Sequence, residues 1–170
     1  MYKVGDTILY NGSGVCRVEE IMQRNFQDKV IDYYVLRPVT SQSAKVFVPM
    51  GSEELSTKMK KVLSEQEIRA LIQTMPDGEL IWVDNENQRK ERFKNILKSG
   101  SRKDLISLIR TLYTRQKDLK ENGKKLTATD DRFFKDAEKM LYEEFAYVLD
   151  IEEEDVLSFI FDQIGVSTIA

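Results

Sequence analysis

Trp82 is the single tryptophan of the chain, and a dense run of cations begins seven residues beyond it. Between Arg89 and Lys125, thirteen basic side chains stand against four acidic ones, a net charge of +9. Residues 126–170 carry three basic and twelve acidic side chains, a net of −9, so the overall value of −3 conceals a strong separation of charge along the chain. The chemistry open to the positive block is to hold phosphates, because Arg and Lys neutralise a polyanion backbone. An apolar ring beside them can wedge into a kinked or opened base step. On that reading Arg89, Lys90 and Arg92 hold phosphates around Trp82 without reading bases. Lys103, Arg110 and Lys117 recur every seven residues and so stay nearly in line on one exposed helix face, with Lys124 and Lys125 ending the run. Each feature also has a plainer reading. The charge run is a solvated helix face, and Trp82 is a core residue joining two helices. The residues alone leave both open.

Other chemistries lack their parts. The chain contains no histidine, which removes His-based general bases, Ser–His and Cys–His nucleophile pairs and the commonest zinc sets. Its one cysteine, Cys16, allows neither an internal disulfide nor a multi-cysteine zinc site, and its apolar neighbours Val15 and Val18 suit a packed thiol. Gly123-Lys124-Lys125 lacks the preceding glycine of a phosphate-binding loop. No two carboxylates pair convincingly for acid–base work. The expectation is a protein that is not an enzyme, with no cofactor and no metal. No apolar run approaches the ~20 residues of a membrane span. Met1 to Asp6 lacks the pattern of a signal peptide. A monomer in the reducing cytoplasm, with no membrane partner, is expected.

Two kinds of element must position these side chains. Residues 1–60 read as strands, Thr7–Tyr10, Val15–Met22, Ile31–Arg37, Lys45–Pro49 and a short fifth near Leu55–Met59. A tight turn at Asn11-Gly12-Ser13-Gly14 and polar loops at Asn25–Lys29 and Thr40–Ser43 separate them. Five short strands bury an apolar face best by closing into a small, bent barrel. Eight basic and seven acidic side chains balance here, which suits an interaction module better than a polyanion binder. From Ser64 the apolar period becomes helical. Ser64 and Glu67 form a capping box for a helix with Ile68, Leu71 and Ile72 inward, broken at Pro76-Asp77-Gly78. Asp84 is placed to cap a helix from about Asn85 to Ser99 with Phe93, Ile96 and Leu97 inside, stopped by Gly100. Ser101 and Asp104 begin the next, which packs Leu105, Leu108, Ile109 and Leu112 and ends at Asn122-Gly123. A fourth, roughly Thr129 to Leu149, buries Phe133, Phe134, Ala137, Met140, Leu141, Phe145 and Val148. Asp150 or a neighbour caps a last helix with Val156, Leu157, Ile160 and Phe161. The predicted architecture is α+β, a five-stranded barrel over 1–60 and a compact all-helical domain over 62–170.

Both halves together resemble the CarD/CdnL family of bacterial transcription regulators. The first half carries Val4-Gly5-Asp6-Thr7-Ile8-Leu9-Tyr10, Gly14, Val18-Glu19, Tyr34-Val35-Leu36 and Val46-Phe47-Val48-Pro49, and transcription-repair coupling factors have a similar module. The second carries Leu97-Lys98-Ser99-Gly100, Leu108-Ile109-Arg110-Thr111-Leu112 and Lys135-x-Ala137-x-x-Met140-Leu141-x-x-Glu144. The resemblance implies a Tudor-like N-terminal domain that docks on the RNA polymerase β subunit. It also implies a helical domain that touches promoter DNA, largely independently of sequence, at the upstream edge of the transcription bubble. There a family tryptophan wedges into the minor groove, the role that would fall to Trp82, although the best-known members carry that ring nearer the position of Glu86. Arg24 falls at a basic position used against polymerase, and Phe47 where some members place an arginine. The expected function is to shift the closed-to-open equilibrium of promoter complexes. The alternatives are an architectural nucleic-acid binder that acts without polymerase, and a protein-interaction adaptor.

Overall fold

The computed structural model of the chain describes residues 2–53 and 57–165. It separates into two compact units, residues 1–63 and 64–170. Among the described residues, no helix is long and apolar enough to cross a membrane.

The first unit is an antiparallel sheet of β1 (Thr7–Tyr10), β2 (Gly14–Phe26), β3 (Lys29–Pro38), β4 (Val46–Pro49) and β5 (Met59–Lys61), in the order β4-β3-β2-β1-β5. One face buries Ile8, Cys16, Val18, Tyr34, Leu36, Val48 and Met59. The expected barrel does not close. Among the described residues β4 pairs only with β3 and β5 only with β1, so the two short edge strands leave the sheet open. The Leu55 end of the expected fifth strand lies outside the described residues.

A long hairpin dominates the sheet. β2 and β3 stay paired from Cys16 opposite Pro38 out to Phe26 opposite Lys29, so the expected Asn25–Lys29 loop shrinks to Gln27-Asp28. Both of those residues have positive φ, 49° and 63°, the two-residue reversal whose twist matches paired strands. The register shifts between Val18 and Glu20, which leaves Glu19 as the extra residue of a β-bulge. Glu19 takes both Nε and Nη2 of Arg37, at 3.1 and 2.9 Å. The bulge has a consequence for Arg24. Residues an even number apart share a face in a regular strand, so Arg24 would lie on the buried side with Val18. The extra residue reverses the alternation and sends Arg24 to the outer face.

The second unit contains α1 (Glu65–Gln73), a 3-10 turn (Met75–Asp77), α2 (Glu86–Ser99), α3 (Arg102–Glu121), α4 (Ala128–Leu149) and α5 (Glu153–Ile164). Its helix starts follow from local side-chain chemistry. Ser64 and Glu67 make the reciprocal capping box, and Ser101 and Thr127 each accept from the backbone N–H three residues on. Gly100 ends α2 with φ 65°, a conformation that costs glycine little. Two caps differ from expectation. Asn85, not Asp84, caps α2, accepting from the Gln88 N–H at 3.0 Å, while Asp84 is taken up by Trp82. Asp150 closes α4 in the left-handed region, and Glu152 precedes α5 with no side-chain cap. Ile81, Phe93, Ile96, Leu105, Leu108, Leu112, Phe134 and Ala137 form a core between α2, α3 and α4. Phe133, Met140 and Val148, expected inside, are only partly buried because they lie at the margins of the apolar stripe.

Candidate nucleic-acid interface

The stretch that carries Trp82 has no regular structure, and polar contacts hold it in place. The Ile81 N–H donates to Thr111 Oγ1 at 2.9 Å, tying the segment to the middle of α3. Arg110, the neighbouring residue, donates through Nη1 to the carbonyls of Met75 (3.1 Å) and Gly78, which fixes the turn leading in. Trp82 itself is half-buried. One part of its ring packs on the α2–α3–α4 core, and its Nε1 donates to Asp84 Oδ1 at 3.0 Å. The Cζ atoms of Arg89 and Arg115 lie 4.3 and 4.6 Å from the ring centroid. A desolvated cation–π contact of this kind contributes ~2 kcal/mol or more, and an exposed one about 0.5–1 kcal/mol.

Arg89 is not a phosphate ligand in this arrangement, contrary to the sequence reading. It is only 6 % exposed. Its Nε and Nη2 donate to the two oxygens of Asp130 at 3.1 and 3.2 Å, and its Nη1 donates to the carbonyls of Val83 and Asp84. Arg110 likewise leaves the expected stripe, since its guanidinium turns to backbone carbonyls and away from solvent. Lys103 and Lys117 on either side of it remain exposed. On α2, Lys90 makes an i,i+4 pair with Glu86 at 3.5 Å and Arg92 is exposed.

The remaining cations do not share one face. Arg115 and Lys117 are two positions apart on α3 and so project about 200° apart around it. Arg115 covers Trp82. Lys117 and Lys120 lie with Lys124, Lys125, Tyr113 and Leu126 along a groove of about 1030 Å³ between the end of α3 and the start of α4. Burial pushes the Tyr113 phenol above its ordinary value. The helical unit therefore presents a tryptophan with a stacked arginine on one side of α3 and a lysine groove on the other.

In the strand unit, Arg24 and Phe47 come together on the outer face. Phe47 lies opposite Val35 in the β3–β4 ladder and is 40 % exposed, and the Arg24 Cζ sits 4.6 Å from its ring centroid. Ile31 and Tyr33, both partly exposed, continue this face along β3.

Sequence reasoning missed Arg115 and Asp84 as partners of Trp82, Asp130 as the partner of Arg89, and Lys120 as part of the groove. Spacing gave a signal for one of them, since Thr111 and Arg115 are four apart and lie on the side of α3 that carries the segment. Asp130 is 48 residues from Trp82 and gave none. Among the described residues, no group of three or more His, Cys, Asp or Glu side chains is placed to hold a metal ion.

Comparison with known proteins matches both units. Residues 2–63 match the CarD-like/TRCF RID domain, and residues 70–161 match the CarD C-terminal domain. The chain is also similar to the candidate transcription factor YdeB of Bacillus subtilis (strain 168), 25 % identical over 166 residues, which are 94 % of this chain and 99 % of that protein.

Proposed function

The chain belongs to the CarD family, and from that membership we propose that it is a non-enzymatic transcription regulator that bridges RNA polymerase and promoter DNA. Its strand unit docks on the polymerase β subunit through the Arg24–Phe47 face. Its helical unit places Trp82 at the upstream edge of the transcription bubble, with Lys90 and Arg92 on nearby phosphates. It acts in the cytoplasm as a monomer, without a cofactor. The observation that carries the DNA half is the setting of Trp82, a partly buried ring held under two guanidiniums where an interior tryptophan would be enclosed by apolar side chains alone. An indole presented this way suits insertion at an opened base step. No catalysis is required, because ~1.4 kcal/mol of preference for the open complex multiplies that equilibrium tenfold.

The test uses the full chain. It should bind polymerase, Arg24→Glu should weaken that binding at least tenfold by reversing a charge at the interface, and isolated β subunit should compete. Trp82→Ala should bind polymerase normally yet shorten open-complex lifetime several-fold. Failure to bind polymerase would overturn the reading. Tight duplex binding that polymerase does not alter would favour an architectural nucleic-acid protein.

A further inference from the structure

Resting on the reading of Trp82 as the bubble-edge ring, we propose that Asp130 and Arg89 are positioning residues, a buried pair that presets the indole before DNA arrives. Asp130 stands in the first turn of α4 and is 2 % exposed. Its two oxygens take Nε and Nη2 of Arg89, so the plane of the guanidinium is fixed and not merely its charge. The remaining terminal nitrogen, Nη1, reaches the carbonyls of Val83 at 3.0 Å and Asp84 at 3.3 Å. These are the two residues that follow Trp82. One rigid planar group thus holds the backbone on which the ring is mounted while lying 4.3 Å from the ring itself. Asp84, whose carbonyl is held by Arg89, turns its carboxylate to the indole N–H and completes the frame.

Stability alone does not explain this choice of residues. A buried ion pair can often be replaced by well-packed apolar side chains of similar volume with no loss of stability. Apolar side chains cannot bond two carbonyls or impose a plane on the ring. What the pair supplies is preorganisation: ordering a mobile side chain at the moment of binding reduces an equilibrium constant roughly two- to tenfold, and a ring ordered in advance avoids that loss.

Trp82 is the only tryptophan, so intrinsic fluorescence of the intact protein reports on this ring without labelling. Two variants separate positioning from folding. Arg89→Lys keeps the charge but cannot span the carboxylate and the carbonyls together. Arg89→Met combined with Asp130→Leu removes both charges and fills much of their space, and its melting curve is measured beside wild type to confirm folding. Below the melting temperature, both should make Trp82 more accessible to acrylamide and lower its fluorescence anisotropy. Both should also shorten open-complex lifetime about two- to tenfold, toward that of Trp82→Ala, with affinity for polymerase unchanged. Wild-type quenching and lifetime in both variants would overturn the proposal, as would a looser ring in both with lifetime retained while Trp82→Ala shortens it. If the ring loosens in both variants but Trp82→Ala leaves lifetime untouched, the positioning role stands and the bubble-edge reading of Trp82 falls.

Discussion

Arg102 and Lys103 are neighbours in the positive block, yet they should respond to the same substitution in opposite ways. Arg102 opens α3 and makes a two-pronged contact with Glu144 of α4, Nε to Oε1 at 2.7 Å and Nη2 to Oε2 at 2.6 Å. Glu144 is only 1 % exposed, so removing the guanidinium takes a charge-assisted partner away from a buried carboxylate. Breaking one side of such a buried pair costs about 3–5 kcal/mol. In a unit of about 100 residues each kcal/mol moves the midpoint by about 4–8 °C, so Arg102→Met should lower Tm by at least ~12 °C. Lys103 is exposed, and Lys103→Met should stay within about 0.5 kcal/mol of wild type. Circular dichroism melts at pH 7 make the comparison. A further measurement checks the cause. Arg102→Met with Glu144→Leu should recover part of the loss, because the buried charge is gone. Equal melting points for Arg102→Met and Lys103→Met would refute the reasoning.

Duplex binding should show a log–log salt slope of about −4 to −5 if four to six phosphates are neutralised. Lys117→Met and Lys120→Met should each reduce its magnitude by about 1 if the lysine groove tracks DNA, while Arg110→Met should leave it unchanged; a slope indifferent to both lysines would move the contact elsewhere. Replacing Gln27-Asp28 by Asn-Gly should raise the melting temperature of the strand unit, by about 0.5–1 kcal/mol of stability, because both positions have positive φ; a lower Tm would rule out the assigned turn. The backbone and hydroxyl of Ser64 hold the Glu67 carboxyl below its ordinary 4.5. A lowered folded-state pKa gives stability that is present above the unfolded value and lost as pH falls through the folded one. Glu67→Gln should therefore be less stable than wild type at neutral pH, with the gap closing in acid, and a gap independent of pH would show the box to be insensitive to that charge.

What was legible in the sequence was whatever short-range chemistry decides. The helix starts at Ser64 and Ser101, the stop at Gly100 and the break at Pro76 all rest on contacts within four residues. The change from alternating to helical period near Ser64 marks the division into two units. Misreadings arose where a distant partner overrode a local signal. Asp84 is a good cap by composition, but the indole of Trp82 competes for its carboxylate, and Asn85 takes the cap. Asn25 and Phe26 look like loop, but pairing with Val30 and Lys29 keeps them in the strand. The seven-residue recurrence of Lys103, Arg110 and Lys117 was read as one exposed face. α3 is packed on more than one side, so Arg110 meets the carbonyls of Met75 and Gly78 instead of solvent.

The division of labour between the two cations narrows what the helical unit can do with a nucleic acid. Arg89, Arg102 and Arg110 all turn inward, two onto buried carboxylates and one onto carbonyls, tasks that need a planar fork of donors. Asp130 and Glu144 come from the acidic end of the sequence, so folding cancels part of the charge separation that the sequence displays. What remains at the surface is mostly lysine, which neutralises phosphate as a point charge and has no fork to span a guanine edge. Arg92 and Arg115 are the exposed exceptions in the positive block, and Arg115 is the informative one. It is exposed, but its guanidinium lies over Trp82, where it shares in presenting a ring. A surface of lysines beside one supported indole is poorly equipped to recognise a base sequence. Under the proposed function it would instead sense whether a base step is open, the distinction that a regulator of open-complex stability requires.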